Sequence, residues 1–330
     1  MKITYYIHDL SFPLVEGTRK QAWWMAQAMS KQGYQVEIIS TSKRKSTIIK
    51  EGIKIKYGSP LGISHCQTDI IHYFSHPSPL ILPLLLRVKA KKQIMTFFDG
   101  NLNGFWKRSW DFVTGKIAKS KISIITVQTQ WQKNLLKKTK LKNKHVIIIP
   151  PLIQKLKRNF SRTTEPTLLF MSHLSPFKGI EEVLKAFILV RKKIRNIKLI
   201  IADSKINKRN KYSNLIKRMN HQDIIVKGKV NPEKELSSAW IYLYPIRQAQ
   251  ETFSVPLSFI ESIQLGTNFI GTRVGGIPEY FEGNNLISPK KPLELAVKIE
   301  DFIKKPIKPK LKKKIDNLET IKMFKSLYDN

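Results

Sequence analysis

Short apolar strands alternate with helices, once up to about residue 150 and again from Thr167. This predicts an α/β protein with two doubly wound, mostly parallel sheets, because strands buried on both faces read as short continuous apolar runs. In the first series Lys2–Ile7 is a strand, followed by a loop containing Gly17 and a helix from about Arg19 to Lys31. Gly33 stands where a left-handed helix cap is favoured. Gln35–Ser40, Ile70–Tyr73, Gln93–Phe97 and Ile122–Val127 are the next strands, and Val146–Ile149 ends the series before Pro150-Pro151.

The polar stretch Lys157–Pro166 has little periodicity and reads as a linker. Thr167–Met171 is then a fresh first strand. A helix from Ile180 to about Ile194 places Val183, Leu184, Phe187 and Val190 on one face. Lys198–Ala202, Ile224–Val226, Ile241–Tyr244 and Asn268–Thr272 are further strands. The expected organisation is an N-terminal domain 1–156, a linker 157–166, a C-terminal domain 167–303, and a basic tail or helix 304–330 returning to the N-terminal domain.

Composition narrows the function classes. The 330 residues are 42% hydrophobic, enough for ordinary cores without metal or disulfide staples. The single cysteine, Cys66, forbids an internal disulfide and suits a reducing compartment. Met1–Ile7 reads as a strand and not as a signal peptide. The longest apolar run, Pro79–Leu86, is far short of the ~20 residues a membrane span requires and reads as a buried helix. A cytoplasmic protein is expected, soluble or peripheral on the membrane. Against 59 Lys+Arg stand 24 Asp+Glu, a net charge of +35. A Lys-rich genome explains part of that charge. The remainder implies a polyanionic neighbour: phosphorylated substrates, an anionic bilayer or nucleic acid.

Several chemistries are disfavoured. No Gly-x-Gly-x-x-Gly follows either first strand, and no phosphate loop with Gly-Lys-Ser/Thr is present. No Asp-x-Asp pair offers to hold a metal. His72 and His76 are four apart, but Pro77 follows and no glutamate lies between them, so no metal site is expected. The informative segment runs from Glu251 to Thr267. Pro256 suits a helix first turn and Gly266 a helix stop. The start of that helix offers backbone N–H groups to an anion. Glu261, about one turn inside, is placed to accept hydrogen bonds from a ribose diol while phosphates sit at the helix start. Val274-Gly275-Gly276-Ile277-Pro278-Glu279 then forms a tight loop after a strand.

This segment resembles the donor-binding core of the family-4 retaining glycosyltransferases of the GT-B fold. His173-Leu174-Ser175-Pro176-Phe177-Lys178-Gly179, Gly228-Lys229-Val230, Pro150–Ile153 and Glu16-Gly17-Thr18 agree with the family in order. The likeness spans nearly the whole chain and is tighter in the second half. It implies two facing Rossmann-like domains with an interdomain cleft. It also implies a metal-independent hexosyltransferase using a UDP- or GDP-linked sugar as substrate, with no cofactor. Glu261 would bind the ribose. Lys178 would meet the diphosphate and stabilise the leaving phosphate, and backbone at Ser254, Val255, Pro256 and Leu257 would hold sugar and phosphates. Gly17 would let the first domain approach the same diphosphate, and Glu251 would contact the donor sugar.

Three departures stand out. His173 occupies the position of a family arginine five residues before Lys178. Nine residues separate Glu251 from Glu261 where the family has seven, so strict spacing selects Phe253. Phe98 takes the place of a family histidine near the acceptor, with Asp99 beside it as a substitute. Residues 86–145 carry 15 Lys+Arg and 2 Asp+Glu, a net +13, where the chain average would give about +6. With Phe97, Phe98, Phe105, Trp106, Trp110 and Phe112 nearby, this stretch suits an anionic membrane and a lipid-linked or polysaccharide acceptor; a solvated basic face over core rings is the plainer alternative. Two other readings stay open: a degenerate, non-catalytic nucleotide-sugar-binding subunit, and a basic nucleic-acid-binding protein, though no nucleic-acid motif accompanies the charge.

Overall fold

The computed structural model describes residues 1–14, 16–42, 45–75, 78–98, 109–139, 141–203, 211–219, 221–252, 254–307 and 309–330, without the side chains of 109–112 and Glu251. The chain divides into two compact units. The first comprises Met1–Ile153, a short stretch ending at Val255, and Ile315–Asn330; the second comprises Gln154–Thr252 and Pro256–Lys314. Both are parallel α/β sheets, and the fold class is the expected two-unit Rossmann-like one.

The first unit runs β1 (Lys2–Ile7), α1 (Gly17–Lys31), β2 (Gln35–Thr41), β3 (Ser46–Lys50), β4 (Ile53–Gly58), β5 (Gln67–Phe74), α2 (Leu82–Arg87), β6 (Lys89–Thr96), α3 (Ser109–Lys121), β7 (Ile124–Val127), α4 (Gln130–Leu136) and β8 (His145–Ile148). Its eight strands lie in the order β3-β4-β2-β1-β5-β6-β7-β8. The strand order reverses beside β1, which pairs with β2 on one side and β5 on the other. All pairs are parallel except β3 with β4. That hairpin is absent from the sequence expectation. Its two-residue turn, Glu51-Gly52, has both residues at positive φ, the geometry that matches a hairpin's twist.

The second unit runs β9 (Thr167–Met171), α5 (Ile180–Lys193), β10 (Lys198–Ala202), α6 (Lys211–Met219), β11 (Ile224–Lys227), α7 (Pro232–Ser238), β12 (Ile241–Tyr244), α8 (Leu257–Gln264), β13 (Asn268–Thr272), α9 (Ile277–Tyr280), β14 (Leu286–Ile287) and α10 (Pro292–Lys304). The sheet order is β11-β10-β9-β12-β13-β14, so the reversal falls between β9 and β12. The expected face of α5 is buried: Val183, Leu184, Phe187 and Val190 are at most 3% exposed. Each such side chain contributes roughly 1.5–3 kcal/mol when fully removed from water.

The last helix, α11 (Asn317–Asp329), belongs to the first unit. Phe324, Leu327 and Tyr328 enter that unit's core. The Tyr328 hydroxyl lies 3.1 Å from the Tyr5 hydroxyl and 2.6 Å from His72 Nδ1, while His72 Nε2 lies 2.6 Å from Thr96 Oγ1. Complete burial pushes the His72 pKa down to about 3, so the ring is neutral. His72 is thus a buried strut between a strand and a terminal helix, and His76 lies outside the described residues. Among the described residues no group of three or more His, Cys, Asp or Glu is arranged to hold a metal ion, and no helix is long and apolar enough to cross a membrane.

Three local expectations are corrected. Pro79–Leu86 is a 3-10 turn, Pro79–Ile81, followed by the short α2. Ile81, Leu84 and Leu85 are buried, but Leu80 and Leu86 face solvent because so short a helix has only one covered face. Ile122 caps the preceding helix through a bond from its amide to the Ala118 carbonyl, so the strand begins at Ile124. Phe97 and Phe98, proposed as membrane-facing rings, lie in the core.

Candidate active site

In open α/β sheets, ligands collect outside the carboxyl ends of the strands where the strand order reverses. In the second unit that point lies between β9 and β12, and the loops after these strands are locked together. The loop after β9 forms a 3-10 turn, Pro176–Lys178, and passes through Gly179 at φ +81° into α5. A Cβ at Gly179 would stand 2.0 Å from the Pro245 carbonyl oxygen, so only glycine permits this approach. The Arg247 amide donates to the Phe177 carbonyl at 2.9 Å and ties the loops a second time.

Lys178 lies at this junction. Its ammonium donates to the Tyr244 hydroxyl at 3.3 Å and sits 5.7 Å from the centre of the Tyr244 ring. The same hydroxyl lies 3.2 Å from Thr252 Oγ1, which links Lys178 to the segment that follows Glu251. The nearby arginine has a different employment. Arg247 pairs with Glu182 at 2.9 Å and also with Glu181, which accepts from the Tyr212 hydroxyl. These partners hold the Glu181 carboxyl below its usual range. Arg247 therefore braces the loop, while Lys178 is the cation at the reversal.

His173 follows β9 by two residues. Its Nδ1 lies 2.9 Å from Asp203 Oδ1, and the Leu174 amide donates to Asp203 Oδ2 at 3.0 Å. Asp203 itself follows β10. Glu251 ends a 3-10 turn, Ala249–Glu251. Pro256 is the residue before α8, no side chain caps that helix, and Leu257 opens it. In the first turn of α8 the Phe259 amide donates to the Pro256 carbonyl at 3.1 Å. Glu261 lies in α8 one turn inside and is half-buried. Gly266 closes the helix at φ +69°.

Lys178, His173, Glu251, Pro256, Leu257 and Glu261 all belong to the second unit. Ser254 and Val255 group with the first, where the Ser254 amide donates to the Phe98 carbonyl at 3.0 Å. That amide is therefore engaged within the first unit. Asp99 lies outside the described residues.

The first unit has a cavity of about 240 Å³ at its own reversal point, lined in part by His8, Glu16, Arg19, Ser75, Thr96 and Phe98. Gly17 is the first residue of α1, and its neighbours Glu16 and Thr18 both line this cavity. Arg19 pairs with Asp9 at 2.9 Å and Glu16 at 3.5 Å. His8 Nδ1 lies 2.6 Å from Thr41 Oγ1. Sequence reasoning overlooked His8 and Arg19, and also Asp203, Tyr244 and Arg247. The available signal was positional: His8, Asp203 and Tyr244 each end or directly follow a strand.

Two Rossmann-like units with switch-point sites of this kind define the GT-B class of sugar-transferring enzymes. The profile of the family described as glycosyl transferases group 1 matches residues 153–318, half of the chain, and the chain belongs to that family. Among solved structures it is similar to TarM from S. aureus, at TM-score 0.76 and 12% identity over 100% of both chains. It is also similar to the pneumococcal O-GlcNAc transferase GtfA in complex with UDP and GlcNAc, at TM-score 0.73 and 11% identity over 100% of this chain and 98% of that one. HepE from Anabaena, in complex with UDP and glucose, gives TM-score 0.75 at 11% identity over 100% of both. No curated protein sequence matches significantly.

Proposed function

We propose that this protein is a retaining, metal-independent hexosyltransferase that uses a UDP- or GDP-linked sugar and modifies a lipid-linked or glycan acceptor at an anionic membrane surface. The observation that carries the reading is Lys178, held at the switch point of the second unit by Tyr244 and by the Gly179–Pro245 contact. A lysine fixed there neutralises a diphosphate as its bond to the sugar breaks, the role a metal plays elsewhere. Glu261, inside the uncapped start of α8, is the ribose partner. Similar structures hold UDP together with a sugar, which favours a uridine donor.

In this reading the bond from the anomeric carbon to the phosphate oxygen breaks, and the acceptor oxygen attacks from the same face. The departing phosphate takes the acceptor's proton. The protein's work is positioning and charge stabilisation. The first-unit cavity beside Gly17 is the acceptor side, and the basic excess over residues 86–145 is the membrane-facing surface. A thermal-shift panel of UDP-, GDP- and ADP-sugars tests the donor, since a ligand at 100 times its dissociation constant adds about 2.7 kcal/mol. Transfer by the purified protein in EDTA tests the metal independence. Activity lost in EDTA and restored by manganese would contradict it.

A further inference from the structure

The sheet of the first unit is covered unevenly. On one face, Ile125 and Val127 of β7 pack with Leu136 of α4. On the other, α11 lies over β1 and β5 through Tyr328, whose hydroxyl meets Tyr5 and His72. It reaches β6 where Lys92 Nζ donates to the Leu327 carbonyl at 3.1 Å. Beyond that contact lie β7 and β8, and β8 is the edge of the sheet. Ile124 of β7 pairs with Ile94 on one side and His145 on the other. Lys92 and Ile147 each stand two residues from one of these partners, so Lys92, Ile124 and Ile147 share one face. Ile124 and Ile147 are only half-buried there. They floor a cavity of about 620 Å³, with Met323 and Leu327 of α11 as its wall and Lys92 and Lys322 at its border. That volume lies in the range of roughly 300–1,000 Å³ typical of small-molecule sites.

We propose that this cavity takes the hydrocarbon chain of an anionic lipid, with Lys92 and Lys322 beside the head group. The inference rests on the membrane part of the proposed function for the source of the lipid, and on nothing in the donor or acceptor reading. A hydrocarbon chain gains by leaving water and asks for no hydrogen bonds. A peptide segment laid on the same floor would bring amides and carbonyls against Ile124 and Ile147. Met323, unbranched and flexible, lets the wall adapt to a bent chain. Charge selects the head group. No acidic side chain lines the cavity among the described residues. The Lys92 ammonium is already held in place by the Leu327 carbonyl, and Lys322 is exposed on α11. The strand residues of the cavity belong to the 86–145 stretch or lie just past it, and that stretch carries 15 Lys+Arg against 2 Asp+Glu. Such a field draws in an anionic head group and gives a zwitterionic one little.

The test is titration calorimetry of the whole protein with lysophosphatidylglycerol and lysophosphatidylcholine of equal chain length, each below its micelle concentration. Glycerol 3-phosphate serves as the head group without a chain. The expected result is a single lysophosphatidylglycerol per molecule, bound roughly tenfold more tightly than the choline lipid, and no binding of glycerol 3-phosphate. Ile147→Asp, which sets a carboxylate in the floor, should weaken both lipids by roughly tenfold or more. Lys322→Glu, at an exposed position, should keep the thermal transition and remove most of the preference for the anionic lipid. Failure of the wild type to bind either lysolipid overturns the inference, and so does undiminished binding of both by Ile147→Asp. Equal affinity for the two lipids, unaltered in Lys322→Glu, overturns the anionic head group. Glycerol 3-phosphate binding as tight as the lipid's makes this a phosphate site and overturns the chain. A wild-type dimer in sedimentation that Ile147→Asp dissociates makes the cavity an interface between copies, which also overturns it. If Ile147→Asp fails to fold, Lys322→Glu and the lipid series still decide. Vesicle flotation keeps the two readings apart. A protein that floats with anionic vesicles but binds no lysolipid retains the membrane reading and loses this inference, and one that does neither loses both.

Discussion

The two units place candidate sites at equivalent points of their sheets but build them differently. In the second, two loops touch backbone to backbone, Gly179 against Pro245, and the cation between them is held by a tyrosine on a strand end. In the first, the corresponding space is a cavity walled by side chains, and its arginine, in the first turn of α1, is paired to Asp9 and Glu16 of the preceding loop. A site made of backbone contacts has few sequence solutions, which is the form a chain suited to one constant ligand part, a nucleoside diphosphate, would take. A site made of side chains can be re-lined residue by residue, which suits an acceptor that differs between enzymes of one fold.

The sharpest way to break this contrast is Gly179→Ala. The added methyl meets a backbone oxygen and requires a left-handed conformation. The combined cost should be about 2–4 kcal/mol of second-unit stability, with donor binding and transfer lost. Thermal unfolding alongside donor titration measures both. A near-wild-type transition would mean the two loops are not locked. Lys178→Ala should preserve the fold and reduce transfer on the order of 100-fold. A rate within a few-fold of wild type would move the leaving-group cation to another residue.

What was legible in the sequence follows the same division. The strands Thr167–Met171, Lys198–Ala202, Ile241–Tyr244 and Asn268–Thr272 stand where the apolar runs placed them, because central parallel strands are buried on both faces and read as uninterrupted apolar segments. Ser46–Lys50 gave no such signal. It is an exposed edge strand turned by Glu51-Gly52, and a glutamate at positive φ is not among the residues that advertise a hairpin. Asp203, Tyr244 and Arg247 belong to no local pattern with His173 or Lys178. Only the adjacency of strand ends brings them together. Phe97 and Phe98 misled because an aromatic beside lysines reads alike whether it faces the core or a membrane.

The first unit has a pH sensitivity built into its core at His72. His72 is neutral in the fold with its pKa near 3, against about 6.5 when exposed. Between those values the unfolded chain binds a proton that the folded one refuses. Stability from this source is therefore complete above about pH 6.5 and declines as the pH falls, by up to about 1.4 kcal/mol per unit, or about 2 kcal/mol at pH 5. Thermal unfolding from pH 7.5 to 4.5 should show the decline. His72→Asn should lower the neutral plateau and flatten the slope. An equal slope in both proteins would place the acid sensitivity elsewhere. Glu261→Gln comes next, weakening nucleotide binding by roughly 1–3 kcal/mol through the loss of charged hydrogen bonds. Unchanged affinity in calorimetry would remove Glu261 from the ribose site. Glu251→Ala should reduce turnover more than UDP or GDP binding if its carboxylate meets the sugar.

The smallest effects per residue belong to the basic surface, and they separate the units most cleanly. Lys137, Lys138 and Lys142 are exposed on the first unit, while Lys140 lies outside the described residues. Phe97 and Phe98 are in the core, while Phe105, Trp106 and the side chains of Trp110 and Phe112 lie outside the described residues, so these lysines test the charge part of any attraction to a bilayer. Each lysine near an anionic surface then contributes roughly 1 kcal/mol, screened by salt. Flotation with anionic vesicles should bring the protein up at low salt and release it at high salt, and neutral vesicles should not carry it. Reversing Lys137, Lys138 and Lys142 to glutamate should weaken flotation by more than three such contributions, because each glutamate also repels the anionic surface. Donor affinity should not change, because none of the three belongs to the second unit. A parallel loss of donor affinity would show that the two sites are not separable in this way. Equal indifference to both vesicle types at low salt would leave a soluble acceptor and reduce the excess charge to a solvated face.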